Sequence, residues 1–102
     1  DDKKVKEIMR YISNNFTCHT WIPNDGKLIV CTDQGEIMLL ENSGDYKMVL
    51  PESPGEGFYI ECIITYEKGF IIGGENGQIY IYQRSEEPKN PYHKIATLVT
   101  NY

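Results

Sequence analysis

The chain repeats itself at a fixed distance. Lys27-Leu28-Ile29-Val30-Cys31-Thr32-Asp33-Gln34-Gly35-Glu36-Ile37-Met38-Leu39-Leu40 aligns without a gap on Gly69-Phe70-Ile71-Ile72-Gly73-Gly74-Glu75-Asn76-Gly77-Gln78-Ile79-Tyr80-Ile81-Tyr82. Gly35 falls on Gly77 and Asp33 on Glu75, each pair 42 residues apart. A period of this size marks arrays of small supersecondary units, none of which can bury its apolar surface alone. Each unit holds two apolar runs around an acid-x-Gly turn, which reads as a β-hairpin.

More strands flank each hairpin. In the first unit, strands are expected at 17–22, 27–31, 36–41 and 46–50, with Pro23-Asn24-Asp25-Gly26 as a tight turn. The second unit gives 58–66, 70–73, 78–83 and 94–99. Four short antiparallel strands per unit make the blade of a β-propeller. The chain therefore divides into one blade at 16–50, an inter-blade loop at 51–57 holding two Pro and two Gly, and a second blade at 58–102. Residues 1–15 would be the end of a preceding blade or a linker, with 5–12 placed where its last strand would run. The runs Leu28-Ile29-Val30 and Phe70-Ile71-Ile72 are apolar at successive positions, so burial on both faces is expected, unlike the alternating strands of a sandwich. A closed propeller takes about four to eight blades. The expectation is thus two adjacent four-stranded antiparallel blades that form part of a longer chain, in an all-β class. A small self-contained sandwich is the alternative.

Charge and cysteine usage exclude several functions. Ten basic and 15 acidic residues give a formal net charge of −5. The basic run Lys3, Lys4 and Lys6 sits beside Asp1, Asp2 and Glu7, so a nucleic-acid surface is not expected. No apolar run approaches the roughly 20 residues of a membrane span. Cys18, Cys31 and Cys62 lack C-x-x-C spacing, which suggests neither a disulfide framework nor a zinc site. Cys31 and Cys62 lie among apolar residues and read as core thiols. Cys18 and His19 are adjacent on a strand and point to opposite faces, so they do not share a metal. No nucleophile elbow, metalloprotease helix, P-loop or dinucleotide fingerprint occurs. No catalytic residue, cofactor, metal or small-molecule substrate is expected.

The residues that stand out are structural or surface candidates. Asp33, Gly35, Glu75 and Gly77 are assigned to hairpin turns, the acids accepting backbone N–H groups. Their other reading is an acidic rim for a basic partner. Tyr80 and Tyr82 alternate on one side of a strand and are either a protein-contact surface or inter-blade packing. Trp21, which the 42-residue offset pairs with Ile63, reads as core. Glu86 and Glu87, with Glu52 and Glu56, occupy the polar loops, where repeat scaffolds often carry contacts.

The pattern small-x-acid-x-Gly-x-Ile-x-Ile/Leu-aromatic, carried by 31–40 and 73–82, resembles the WD40 repeat. Leu40-Glu41 and Tyr82-Gln83 stand where that repeat has Trp-Asp, and no Gly-His pair precedes either unit. Within the family, His19-Thr20-Trp21-Ile22, the run 29–37 and Leu40-Glu41-Asn42-Ser43-Gly44-Asp45 resemble one blade of a ciliary member. Tyr66-Glu67-Lys68-Gly69-Phe70 resembles part of its next blade. That resemblance implies a non-enzymatic scaffold on the doublet microtubules of the ciliary axoneme, helping to dock inner-arm dyneins near the regulatory complex. A propeller adaptor of cytosolic trafficking or signalling is the alternative. An enzymatic reading rests only on the surplus of acids.

Overall fold

The computed structural model describes residues 16–23, 26–41 and 47–100. The strand expected at 5–12, the centre of the 23–26 turn, residues 42–46 and the last two residues lie outside them. Eight strands follow in order: β1 (Phe16–Ile22), β2 (Lys27–Thr32), β3 (Ile37–Glu41), β4 (Lys47–Val49), β5 (Ile60–Tyr66), β6 (Gly69–Gly74), β7 (Gln78–Arg84) and β8 (Tyr92–Val99). They form two four-stranded antiparallel sheets, β1-β2-β3-β4 and β5-β6-β7-β8, each a meander of sequential neighbours. Two adjacent blades is what the repeat predicts.

Register shows how the blades face each other. Directly paired residues share a face of the sheet. In the first sheet, Ile29 pairs with Leu39 and Cys31 with Ile37. These four form the front face, buried against the second sheet. The second sheet meets them with its back face: Phe70 paired with Tyr82, and Ile72 with Tyr80. Shifted by 42 residues, the first sheet's front positions become Ile71, Gly73, Ile79 and Ile81, which lie on the second sheet's opposite side. The packing is therefore front to back, as successive turns of one operation require.

The two sheets differ in what covers them. Leu28, Val30, Met38 and Leu40, on the first sheet's back face, are buried as a second cluster with Trp21 packed against it. The expectation for 28–30 therefore holds. Over 70–72 only the face toward the first sheet is covered, and Ile71, on the second sheet's front face, stays partly exposed. On the same face Ile64 is 60% exposed and Leu98 52%. Cys62 lies there too, across from Gly73, and is exposed, so it is not the core thiol that its neighbours suggest.

The 42-residue offset holds for the hairpins but not for the strands before them. Trp21 faces Leu28, and Thr65 faces Phe70. Trp21 thus corresponds to Thr65, not Ile63. The 23–26 turn is two residues longer than the Glu67-Lys68 turn, which shifts β1 against β5. Both first strands carry a bulge, between Phe16 and Cys18 and between Ile60 and Cys62.

A candidate contact site at the blade junction

The hairpin turns are tied to the chain that leaves each blade. Gly35 takes φ of 74° and Gly77 of 79°, in the left-handed region that glycine enters without a side-chain clash. The Gly55 N–H donates to the Gly35 carbonyl at 2.9 Å. In the second blade the Thr100 N–H donates to the Gly77 carbonyl at 2.9 Å. A Cβ at Gly35 would overlap the Gly55 carbonyl. Inside the turns, Thr32 Oγ1 accepts from the N–H groups of Gln34 (3.3 Å) and Glu36 (3.2 Å). Asn76 Oδ1 accepts from Gln78 N–H at 3.2 Å. Sequence reasoning placed this acceptor role on Asp33 and Glu75. Thr32 and Asn76 were missed, although each sits beside the acid and is a residue type with a short local acceptor.

Tyr80 and Tyr82 lie between the sheets. Tyr82 is fully buried, stacked on Phe70 with ring centroids 4.8 Å apart at 12°. Its hydroxyl donates to the Glu52 carbonyl at 2.7 Å, and its own carbonyl accepts from Tyr66 Oη at 3.0 Å. Burial pushes the Tyr82 phenol up, with nearby Tyr80 and Glu52 adding to it. Tyr80 packs on Phe58 with centroids 4.9 Å apart, and Lys94 Nζ lies 4.5 Å over its ring. Tyr82 therefore offers no surface to a partner.

Polar groups converge instead where the inter-blade loop meets the β7–β8 connection. Glu52, one of four loop acids that sequence reasoning left unranked, is the centre. Its carboxylate accepts from Asn90 Nδ2 (2.6 Å) and the Lys94 N–H (3.3 Å), and His93 Nδ1 lies at 2.8 Å. The other ring nitrogen, His93 Nε2, is 3.3 Å from a Glu87 carboxylate oxygen. The Asn90 bond, then the Lys94 and His93 contacts, hold the Glu52 carboxyl below its ordinary value, against a smaller desolvation effect. Ser85 braces the connection: its hydroxyl donates to the Asn90 carbonyl (2.6 Å) and accepts from the Glu87 N–H (3.1 Å). Glu86 and Glu87 are exposed on this rim. The result is a braced surface with three carboxylates and one imidazole. These contacts tie the inter-blade loop to the β7–β8 connection.

The described residues hold no group of three or more His, Cys, Asp or Glu side chains arranged to bind a metal. A cleft of about 350 Å³, lined by Pro23, Thr65, Tyr66, Glu67 and Arg84, lies where the first turns of the two blades meet.

Two meander sheets packed front to back, each with a positive-φ Gly in its central hairpin, are two adjacent blades of the WD40-like class. No protein-family profile matches the chain. Over 72 residues, 70% of the chain, it is 43% identical to cilia- and flagella-associated protein 57 A of Tetrahymena thermophila. It is 25% identical to protein 57 C of the same organism over an alignment covering 79% of the chain. Over these stretches the chain is a homologue of cilia- and flagella-associated protein 57. It spans 6% and 7% of the length of these relatives. An alignment of 72 residues is longer than either blade, so the likeness crosses the junction between them.

Proposed function

We propose that these blades belong to a non-enzymatic scaffold of cilia and flagella and serve there as a protein-interaction module. The observation that carries the reading is the 43% identity over 72 residues to a cilia- and flagella-associated protein. The fold agrees with it, since propeller blades act mainly as binding platforms. The finer assignment is to the axoneme: the blades help to hold inner-arm dyneins on doublet microtubules near the regulatory complex. The acidic rim of Glu52, Glu86 and Glu87 supplies a surface for a basic partner.

The test is to tag the endogenous protein in a motile ciliate and delete residues 16–100. We expect the tag in cilia, and loss of inner-arm density from tomograms of the deletion strain. An even distribution through the cell body would replace this reading with a cytosolic adaptor. A ciliary tag with intact dynein arms would leave the location standing and remove the docking role.

A further inference from the structure

We propose that Cys18 and Cys31 are an oxidisable cross-strand dithiol that closes to a disulfide when hydrogen peroxide reaches Cys18. The two residues are direct partners across the β1–β2 pair. Directly opposed residues of an antiparallel pair have Cα atoms about 4.5–5.5 Å apart, inside the roughly 4.4–6.8 Å range that disulfides span. Both side chains join the core between the sheets, Cys31 buried and Cys18 half-buried at its margin. The hydroxyl of Thr17, the extra residue of the β1 bulge, has two acceptors for its one proton, Cys18 Sγ at 3.7 Å and the Cys31 carbonyl at 3.4 Å. Bulges re-aim neighbouring side chains, and this one sits beside the pair.

The second blade gives an independent measure of this register. There the same bulged position places Cys62 opposite Gly73. A Cβ built on Gly73 falls 3.0 Å from Cys62 Sγ. That is about the separation between one sulfur and its partner's Cβ across an S–S bond. Side chains at this paired position thus converge to covalent reach. In the first blade both positions are cysteine, while in the second only one is.

The two thiols also divide the chemistry. A hydrogen bond from the Cys31 thiol, helped by Thr17, pulls the Cys18 thiol down to about 7 against the opposing effect of burial. The same bond and burial hold Cys31 far above its ordinary value, so it keeps the proton. Cys18, the more accessible sulfur, is then the thiolate nucleophile. Its sulfur attacks one peroxide oxygen, the O–O bond breaks, and hydroxide leaves with Cys18 as a sulfenic acid. The Cys31 sulfur displaces the sulfenic oxygen, which departs as water with the Cys31 proton, and the S–S bond forms. The two thiols lose two electrons, and peroxide becomes two waters once the hydroxide takes up a proton.

The test is peptide mapping of the purified, folded full-length protein. It is treated with hydrogen peroxide, quenched in acid, alkylated and digested without reductant. We expect a linked peptide holding Cys18 and Cys31, two hydrogens lighter than the pair, that dithiothreitol separates. Cys62 should remain alkylatable. Cys31→Ser should abolish the link and leave a sulfenic acid on Cys18 that dimedone traps. Gly73→Cys should add a second link, to Cys62. Full alkylation of Cys18 and Cys31 after peroxide would overturn the proposal. A link from Cys18 to Cys62 instead would overturn it too, as would a Gly73→Cys link formed while the native pair stays reduced.

Discussion

Gly35 and Gly77 hold the same place in two blades, yet an added methyl group meets a different obstacle at each. Either alanine would carry the left-handed backbone penalty of about 1–2 kcal/mol. At Gly77 the nearest atom is the Thr100 hydroxyl at 2.8 Å, which can rotate away by giving up its bond to the Gly77 carbonyl, and the Thr100 carbonyl at 3.0 Å need give only slightly. At Gly35 it is the Gly55 backbone carbonyl, which cannot. Gly77→Ala should thus destabilise by about 1–2 kcal/mol and Gly35→Ala by more than about 3 kcal/mol, read from urea midpoints. Glu52 gives a second prediction at this scale. Its native carboxyl lies below the ordinary Glu value, so the native state favours the ionised form. The stabilisation is complete above the unfolded value of about 4.3 and is lost as pH falls through the native one. With the side chain about a third exposed, Glu52→Ala should lower stability by about 1 kcal/mol at pH 7. As pH falls below the unfolded value and through the native one, the unfolding midpoints of variant and parent should draw together, and a gap that stayed constant with pH would contradict the Glu52 assignment.

Among elements, β2 and β6 with the hairpins after them were legible, because their turns have equal length and the alignment needs no gap. Strands β1 and β5 were misaligned by two residues, since extra turn residues carry no hydrophobic signal. The cluster around Glu52 was not legible at all. Its partners lie 38 to 42 residues away, and nothing in a local pattern points that far. Thr32 lies between these cases: a fully buried hydroxyl that accepts two turn N–H groups. Thr32→Val keeps the shape and removes the acceptor. It should destabilise by about 1–3 kcal/mol and speed amide exchange at Gln34 and Glu36, in the turn, before it does so in β2. Exchange that rises evenly across the blade would mean the hydroxyl is not what holds the turn.

For the whole molecule, front-to-back packing makes Leu39 and Ile81 the same residue in successive blades. Leu39 is 2% exposed, whereas Ile81 lies on the open face. Leu39→Ala should destabilise the 102-residue chain by about 2–5 kcal/mol, and Ile81→Ala by less than about 1 kcal/mol. In the full-length protein the two losses should become equal, because the repeat calls for another back face against Ile71, Ile79 and Ile81. A gap that persisted there would place a different kind of surface on that face. The latch between each hairpin and the outgoing chain has its own consequence. Gly55 to Gly35 and Thr100 to Gly77 are amide-to-carbonyl bonds, and hydroxyls back them: Thr100 Oγ1 also donates to the Gly77 carbonyl, and Ser53 Oγ accepts from the Ile37 N–H. Where the backbone part of that latch sets the exit of the chain, the requirement on sequence narrows to a glycine at the turn and leaves the Trp-Asp positions free to differ.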